Sequence, residues 1–153
     1  MSDQTSGSTT NPLGESHEAR FLSDLKSLDA GGRNKGVIRL HLSRLQPENR
    51  DQQSLKNAET AFDEMIRTRS AWLYRLRNSD LMVMFEQDVA DSAERAVSKL
   101  LKLWERDPLM QKFKSNPRKN RLSSWFDMNV DHDKLLSFAH RQAATNEKSV
   151  RKT

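Results

Sequence analysis

The sequence predicts a mixed α/β (α+β) domain, an antiparallel-containing sheet with helices packed on it. Three observations carry that expectation. Residues 37–45 alternate apolar and polar side chains with a period of two, and residues 71–85 read as strand, turn and strand. Between and after them, three segments repeat apolar residues at helical spacing.

In chain order, residues 1–16 combine Ser, Thr, Gly, Asn and Pro with almost no apolar side chain, and are expected to form a disordered tail. Phe21, Leu22, Leu25 and Leu28 predict a short amphipathic helix over 17–28, stopped by Gly31 and Gly32. Ile38, Leu40 and Leu42 alternate with Arg39, His41 and Ser43, which predicts a first strand over 37–45 ending before Pro47. Asn49 or Asp51 then caps one long helix to about residue 68, with Leu55, Ala58, Ala61, Phe62, Met65 and Ile66 as its stripe. The hairpin strands 71–76 and 81–85 are rich in Trp, Tyr, Leu, Val and Phe, and Asn78 supplies the residue that tolerates a left-handed turn. Asp88 is placed as the cap of a helix to about residue 104. A polar connection follows, then a strand over 122–128 with Trp125 and Phe126 in the core, one of them facing outward. Asp131 starts a last helix to about residue 144, and residues 146–153 are left as a charged, disordered tail. The order α-β-α-β-β-α-β-α predicts a ferredoxin-like sheet with helices against one face and a single domain over 17–145.

Composition narrows the function classes. The longest apolar run falls far short of the roughly 20 residues of a membrane span. The N-terminus has no apolar core of a secretory signal, and the chain has no cysteine, so a cytoplasmic protein is expected. The net charge of +5 arises from 26 cations set among 21 acids, which reads as a solvated surface before it reads as a nucleic-acid interface. Lys112, Lys114, Arg118, Lys119 and Arg121 form the one basic patch without an acid, with Phe113 as its only aromatic. Nucleic acid is therefore the lesser expectation. His17, His41, His132 and His140 lack zinc-site spacing, and His132 and His140 are read as surface residues. No nucleophile triad, P-loop or dinucleotide fingerprint is present in the sequence.

The run Arg75-Leu-Arg-Asn-Ser-Asp-Leu-Met-Val-Met-Phe85, together with His41-Leu-Ser-Arg-Leu-Gln-Pro-Glu-Asn49, resembles the GGDEF family of bacterial diguanylate cyclases. More narrowly, it looks like the degenerate GGDEF-like domains found upstream of EAL phosphodiesterase domains. No EAL domain follows, so a stand-alone relative or a fragment is expected. The resemblance spans about 17–145 and implies a nucleotide-cyclase-type fold. In the family, carboxylates on the first strand and at the hairpin hold metal ions against a phosphate. The matching first-strand positions here are His41 and Ser43, on one strand face. At the hairpin, Gly-Gly is replaced by Arg77-Asn78 and Asp-Glu by Ser79-Asp80, so one carboxylate remains. Asn49 matches a nucleotide-contacting Asn and doubles as an ordinary helix cap. The product-inhibition motif is missing, its nearest stretch being Arg67-Thr-Arg-Ser70.

These residues imply no cofactor and no metal, and a catalytically inactive module that regulates or binds protein, through a partner or self-association. The alternatives are a nucleotide sensor with Asn49, Asp80 and Arg75 or Arg77 lining a vestigial pocket, and a nucleic-acid module built on the basic patch.

Overall fold

The computed structural model describes residues 17–28, 34–110 and 116–152, with 145–152 as backbone alone. The predicted tail over 1–16 and the glycines at 31 and 32 lie outside these residues. Four strands form one sheet: β1 (Lys35–Leu40), β2 (Ala71–Arg75), β3 (Leu81–Glu86) and β4 (Ser123–Asp127). Their order is β2-β3-β1-β4, and every neighbouring pair is antiparallel. The chain therefore crosses over β3 on the way from β1 to β2, and over β1 on the way from β3 to β4. These two interleaved crossovers define the ferredoxin-like arrangement.

Helices cover both faces of the sheet, where one face was expected. On the first, Ile38, Leu40, Val83 and Phe85 meet α2 (Gln52–Thr60), α3 (Asp63–Arg67) and α4 (Ala90–Leu103). On the second, Val37, Tyr74, Met82 and Met84 meet Phe21 and Leu25 of α1 (His17–Ser27) and Leu135 and Ala139 of α5 (Met128–Lys152). The reason is visible in β3, whose run Leu81-Met-Val-Met-Phe85 is apolar on both sides and buried throughout. A strand of that kind needs cover on both faces. For the same reason neither Trp125 nor Phe126 faces open water: each packs partly buried against a different core.

Five element boundaries differ from the periodicity. β1 ends at Leu40, because Leu42 and Leu45 both turn into the first core and the chain closes a 3₁₀ turn over Leu42–Arg44. His41 and Ser43 therefore do not share a strand face. The long helix breaks into α2 and α3, so that Ala58, Phe62 and Met65 all reach the sheet. Asp51 caps α2, its Oδ1 accepting from Ser54 N–H at 2.8 Å, while Asn49 sits in a preceding 3₁₀ turn and caps nothing. Asp88 likewise lies inside a 3₁₀ turn, and α4 begins at Ala90. At α5, Asp127 Oδ1 accepts from Asn129 N–H and Asp131 Oδ2 accepts from Asp127 N–H. This reciprocal pair starts the helix at Met128, ahead of the expected Asp131. The helix runs on to Lys152, through the segment expected to be a tail.

α3 ends in a Schellman closure. Ser70 N–H reaches Met65 C=O and Arg69 N–H reaches Ile66 C=O, with Arg69 at φ 62°. A side chain in that left-handed region costs on the order of 1 kcal/mol, which glycine avoids. Arg69→Gly is expected to raise the urea midpoint of unfolding without changing its slope, by a stabilisation of up to about 1 kcal/mol.

Candidate functional site

The hairpin turn is built by local bonds. Ser79 N–H donates to Leu76 C=O at 3.1 Å, and Leu76 N–H donates to Asp80 C=O at 2.8 Å. The left-handed residue is Ser79 (φ 80°), one position beyond the expected Asn78. This is a three-residue turn with a bulge, a geometry in which the third loop residue takes positive φ. Asn78 holds the turn differently, its Oδ1 accepting from Asp80 N–H at 3.0 Å. Arg77, Asn78 and Ser79 are exposed at the tip, whereas Asp80 is buried, at 1% exposure.

The sheet register sets this turn beside the end of β1, and three of the residues expected at a vestigial site do meet there. Asp80 Oδ1 accepts from Ser43 N–H at 2.9 Å, and Oδ2 lies 3.8 Å from His41 Nδ1. The strongest partner lies outside the residues that the sequence marks for the site. Arg39 donates to Asp80 Oδ2 from Nε (3.2 Å) and Nη2 (3.0 Å), with its guanidinium also lying over the Phe138 ring at 4.9 Å. Both oxygens of the carboxylate are thus engaged by groups of the chain itself. Arg39 reads as an outward-facing strand residue in the sequence, and only the register with β3 and β4 sets it beside Asp80.

His41 closes the other side. Its Nε2 is 2.7 Å from Ser124 Oγ on β4, and its backbone N–H donates to Leu122 C=O at 2.6 Å. Burial, with Arg44 and Arg39 nearby, pushes its pKa down to about 4 against the weaker opposing pull of Asp80. The imidazole is therefore neutral at pH 7. In the unfolded chain it titrates near 6.5, so on acidification the unfolded state takes up the proton first. Stability contributed by neutral His41 is present in full above pH 6.5 and is lost as the pH falls towards 4. The loss is on the order of 2 kcal/mol once solvent screening at the sheet end is allowed for. In urea titrations from pH 7 to pH 4, His41→Gln is expected to flatten this slope relative to wild type.

The remaining expected residues lie elsewhere. Arg75 is exposed and makes a bidentate ion pair with Glu59 on α2, Nε to Oε2 at 2.5 Å and Nη2 to Oε1 at 2.7 Å. Asn49 donates through Nδ2 to Asp107 Oδ2 at 2.8 Å. Asp107, 2% exposed, also accepts from Gln46 N–H and Leu109 N–H. Desolvation pushes its carboxyl up, but these three hydrogen bonds together outweigh that and hold it below the usual carboxylate range. Asn49 and Asp107 thus lock one loop to another, away from the hairpin. The step Asp107-Pro108 is an ordinary turn signal and does not reveal this partner.

In the basic segment, Lys112 and Lys114 lie outside the described residues. Arg118 is held by Glu94 (Nε to Oε2, 2.6 Å) and lies over the Trp125 ring at 4.3 Å. Lys119 is exposed, and Arg121 C=O accepts from Arg44 Nη1. His140 is exposed as expected, but His132 is not. It is buried between α1 and α5, with Nε2 3.0 Å from Leu25 C=O. Among the described residues no group of three His, Cys, Asp or Glu could hold a metal ion, and no helix is long and apolar enough to cross a membrane. Comparison of the chain with family models, curated proteins and solved structures finds no match.

Proposed function

We propose that the chain is a GGDEF-like module without cyclase chemistry, acting by protein interaction or self-association in bacterial, cytoplasmic signalling of the cyclic di-GMP type. The observation that carries this reading is the engagement of Asp80. A magnesium ion for phosphoryl transfer needs hard oxygen ligands presented together. The one acid in the hairpin turn instead holds Arg39 and Ser43 N–H, so its charge serves to join the hairpin to the end of β1. The ferredoxin-like strand order supports the kinship in fold, and the sequence words around the hairpin supply the rest of the argument.

Incubating the purified protein with GTP and magnesium is expected to give no cyclic di-GMP. Product formed by the wild type and lost in Asp80→Asn would overturn the reading. Calorimetric titration with GTP and cyclic di-GMP separates the sensor alternative, since saturable heat with either nucleotide favours a retained pocket.

A further inference from the structure

The edge strand β2 is covered by side chains of α1. Glu86 N–H donates to Ser70 C=O and Leu76 N–H to Asp80 C=O, which fixes the alternation of the ladder with β3. Trp72 and Tyr74 share that ladder, and Ala71, Leu73 and Arg75 turn their backbone groups outward. α1 takes up two of these outward groups. Leu73 C=O accepts from Arg20 Nη2 at 3.3 Å, and Arg75 N–H donates to His17 Nδ1 at 2.8 Å. In the turn beyond, Arg77 N–H donates to Glu18 Oε2 at 2.7 Å, with Glu18 only 2% exposed. Phe21 and Leu25 anchor the helix below, and Tyr74 Oη donates to Asp24 Oδ2. Side chains of the helix thus occupy part of the edge where a fifth strand would add. At the opposite edge, Ser123 N–H and Asp127 N–H are taken by Asn120 and Asp131, both from segments adjoining β4 itself.

An uncovered edge of this composition is a template for another strand. α1 has 11 residues, a length at which an isolated helix is marginal, so its place depends on tertiary contacts, those with β2 just described and those of Phe21 and Leu25 in the core shared with α5. We propose that α1 is a displaceable cover on β2, and that the occupant it excludes is β2 of a second copy of the chain. The proposal makes specific the self-association in the function proposed above and rests on that part of it.

The register argues for a second copy. An antiparallel pair about a two-fold axis at Leu73 sets Leu73 against Leu73 and Ala71 against Arg75. All the outward backbone groups of β2 then find partners, and within the strand no like charges stand opposite each other; one step beyond its ends Arg77 faces Arg69. Arg75 carries its own counter-ion, Glu59, on the same chain. The side chains of Trp72 and Tyr74 stay on the second face, where Trp72 lies under Lys35 Nζ at 4.9 Å.

The test uses the full chain without nucleotide, so its outcome is independent of the GTP assay. In Glu18→Ala/Phe21→Ala, light scattering is expected to show molar mass rising with concentration towards that of a dimer, with the wild type staying lower at equal concentration. Adding Leu73→Pro removes an outward N–H and no ladder bond, and is expected to restore the monomer. A folded double variant that stays monomeric at high micromolar concentration overturns the proposal, and so does association that survives Leu73→Pro. Hydrogen exchange on the wild type keeps the proposal testable if the double variant unfolds. The amides of Arg75 and Arg77 are expected to exchange with those of α1, ahead of Val83 and Met84; exchange together with β3 overturns it.

Discussion

Asp80→Ala is expected to lower the unfolding free energy by about 3 kcal/mol, at the lower end of the range for breaking a buried ion pair. The change leaves the Arg39 guanidinium without its anion and Ser43 N–H without an acceptor, in a place where Asp80 is 1% exposed. The lower end applies because the Arg39 side chain keeps 24% exposure and so retains some water. Asp80→Asn keeps an oxygen for Ser43 N–H and is expected to cost about half as much. Arg39→Met should not add to Asp80→Ala, since each change removes the same pair. Urea unfolding of the three variants and the double variant decides the matter. A loss below about 1 kcal/mol for Asp80→Ala would mean that the carboxylate is not structural, and the function proposed here would lose its main support.

The second large effect is expected at Phe85. Its ring is 1% exposed, meets Trp125 edge-on at 5.9 Å, and lies over Gly36, its partner in the β1–β3 register. Phe85→Ala is expected to cost about 3–5 kcal/mol, since the ring's contacts are lost and the space over a glycine cannot be filled by its neighbour. The converse substitution tests the same packing. A Cβ at Gly36 would overlap the Phe85 ring, so Gly36→Ala is expected to cost about 1–3 kcal/mol. In a Phe85→Leu background that cost should fall, because a leucine leaves the strand backbone more room. A double-mutant cycle by thermal or urea unfolding reads the coupling, and strict additivity would show that ring and glycine act independently.

The elements that the sequence announces clearly are those whose signal is local. The hairpin over residues 71–86 is one, since its two strands and its turn are neighbours in the chain. The amphipathic stripe of α4 is another: Ala93, Ala96, Val97 and Leu100 are all buried, at the spacing that predicts them. β1 is legible only in part, because Ile38, Leu40 and Leu42 continue a period of two while the backbone leaves the sheet after Leu40. Leu42 and Leu45 reach the same core from a 3₁₀ turn, and an alternating pattern cannot distinguish that path from a longer strand. Of the candidate site, the structure brings His41, Ser43 and Asp80 together at the end of β1. The partners of the polar groups were not legible in the sequence. Arg39 for Asp80, Asp107 for Asn49 and Glu18 for Arg77 N–H are separated by 41, 58 and 59 positions in the chain.

By itself, then, the sequence determined a mixed α+β domain, its hairpin, the stripes of its helices and the single acid in the turn. These depend on spacing and turn chemistry within a few residues. The tertiary structure alone decided that both sheet faces are covered, that side chains of α1 reach the β2 edge, and that Asp80 is held by Arg39. Each of these follows from which strands lie side by side, and a buried polar group's partner is chosen by that register rather than by its neighbours in the chain.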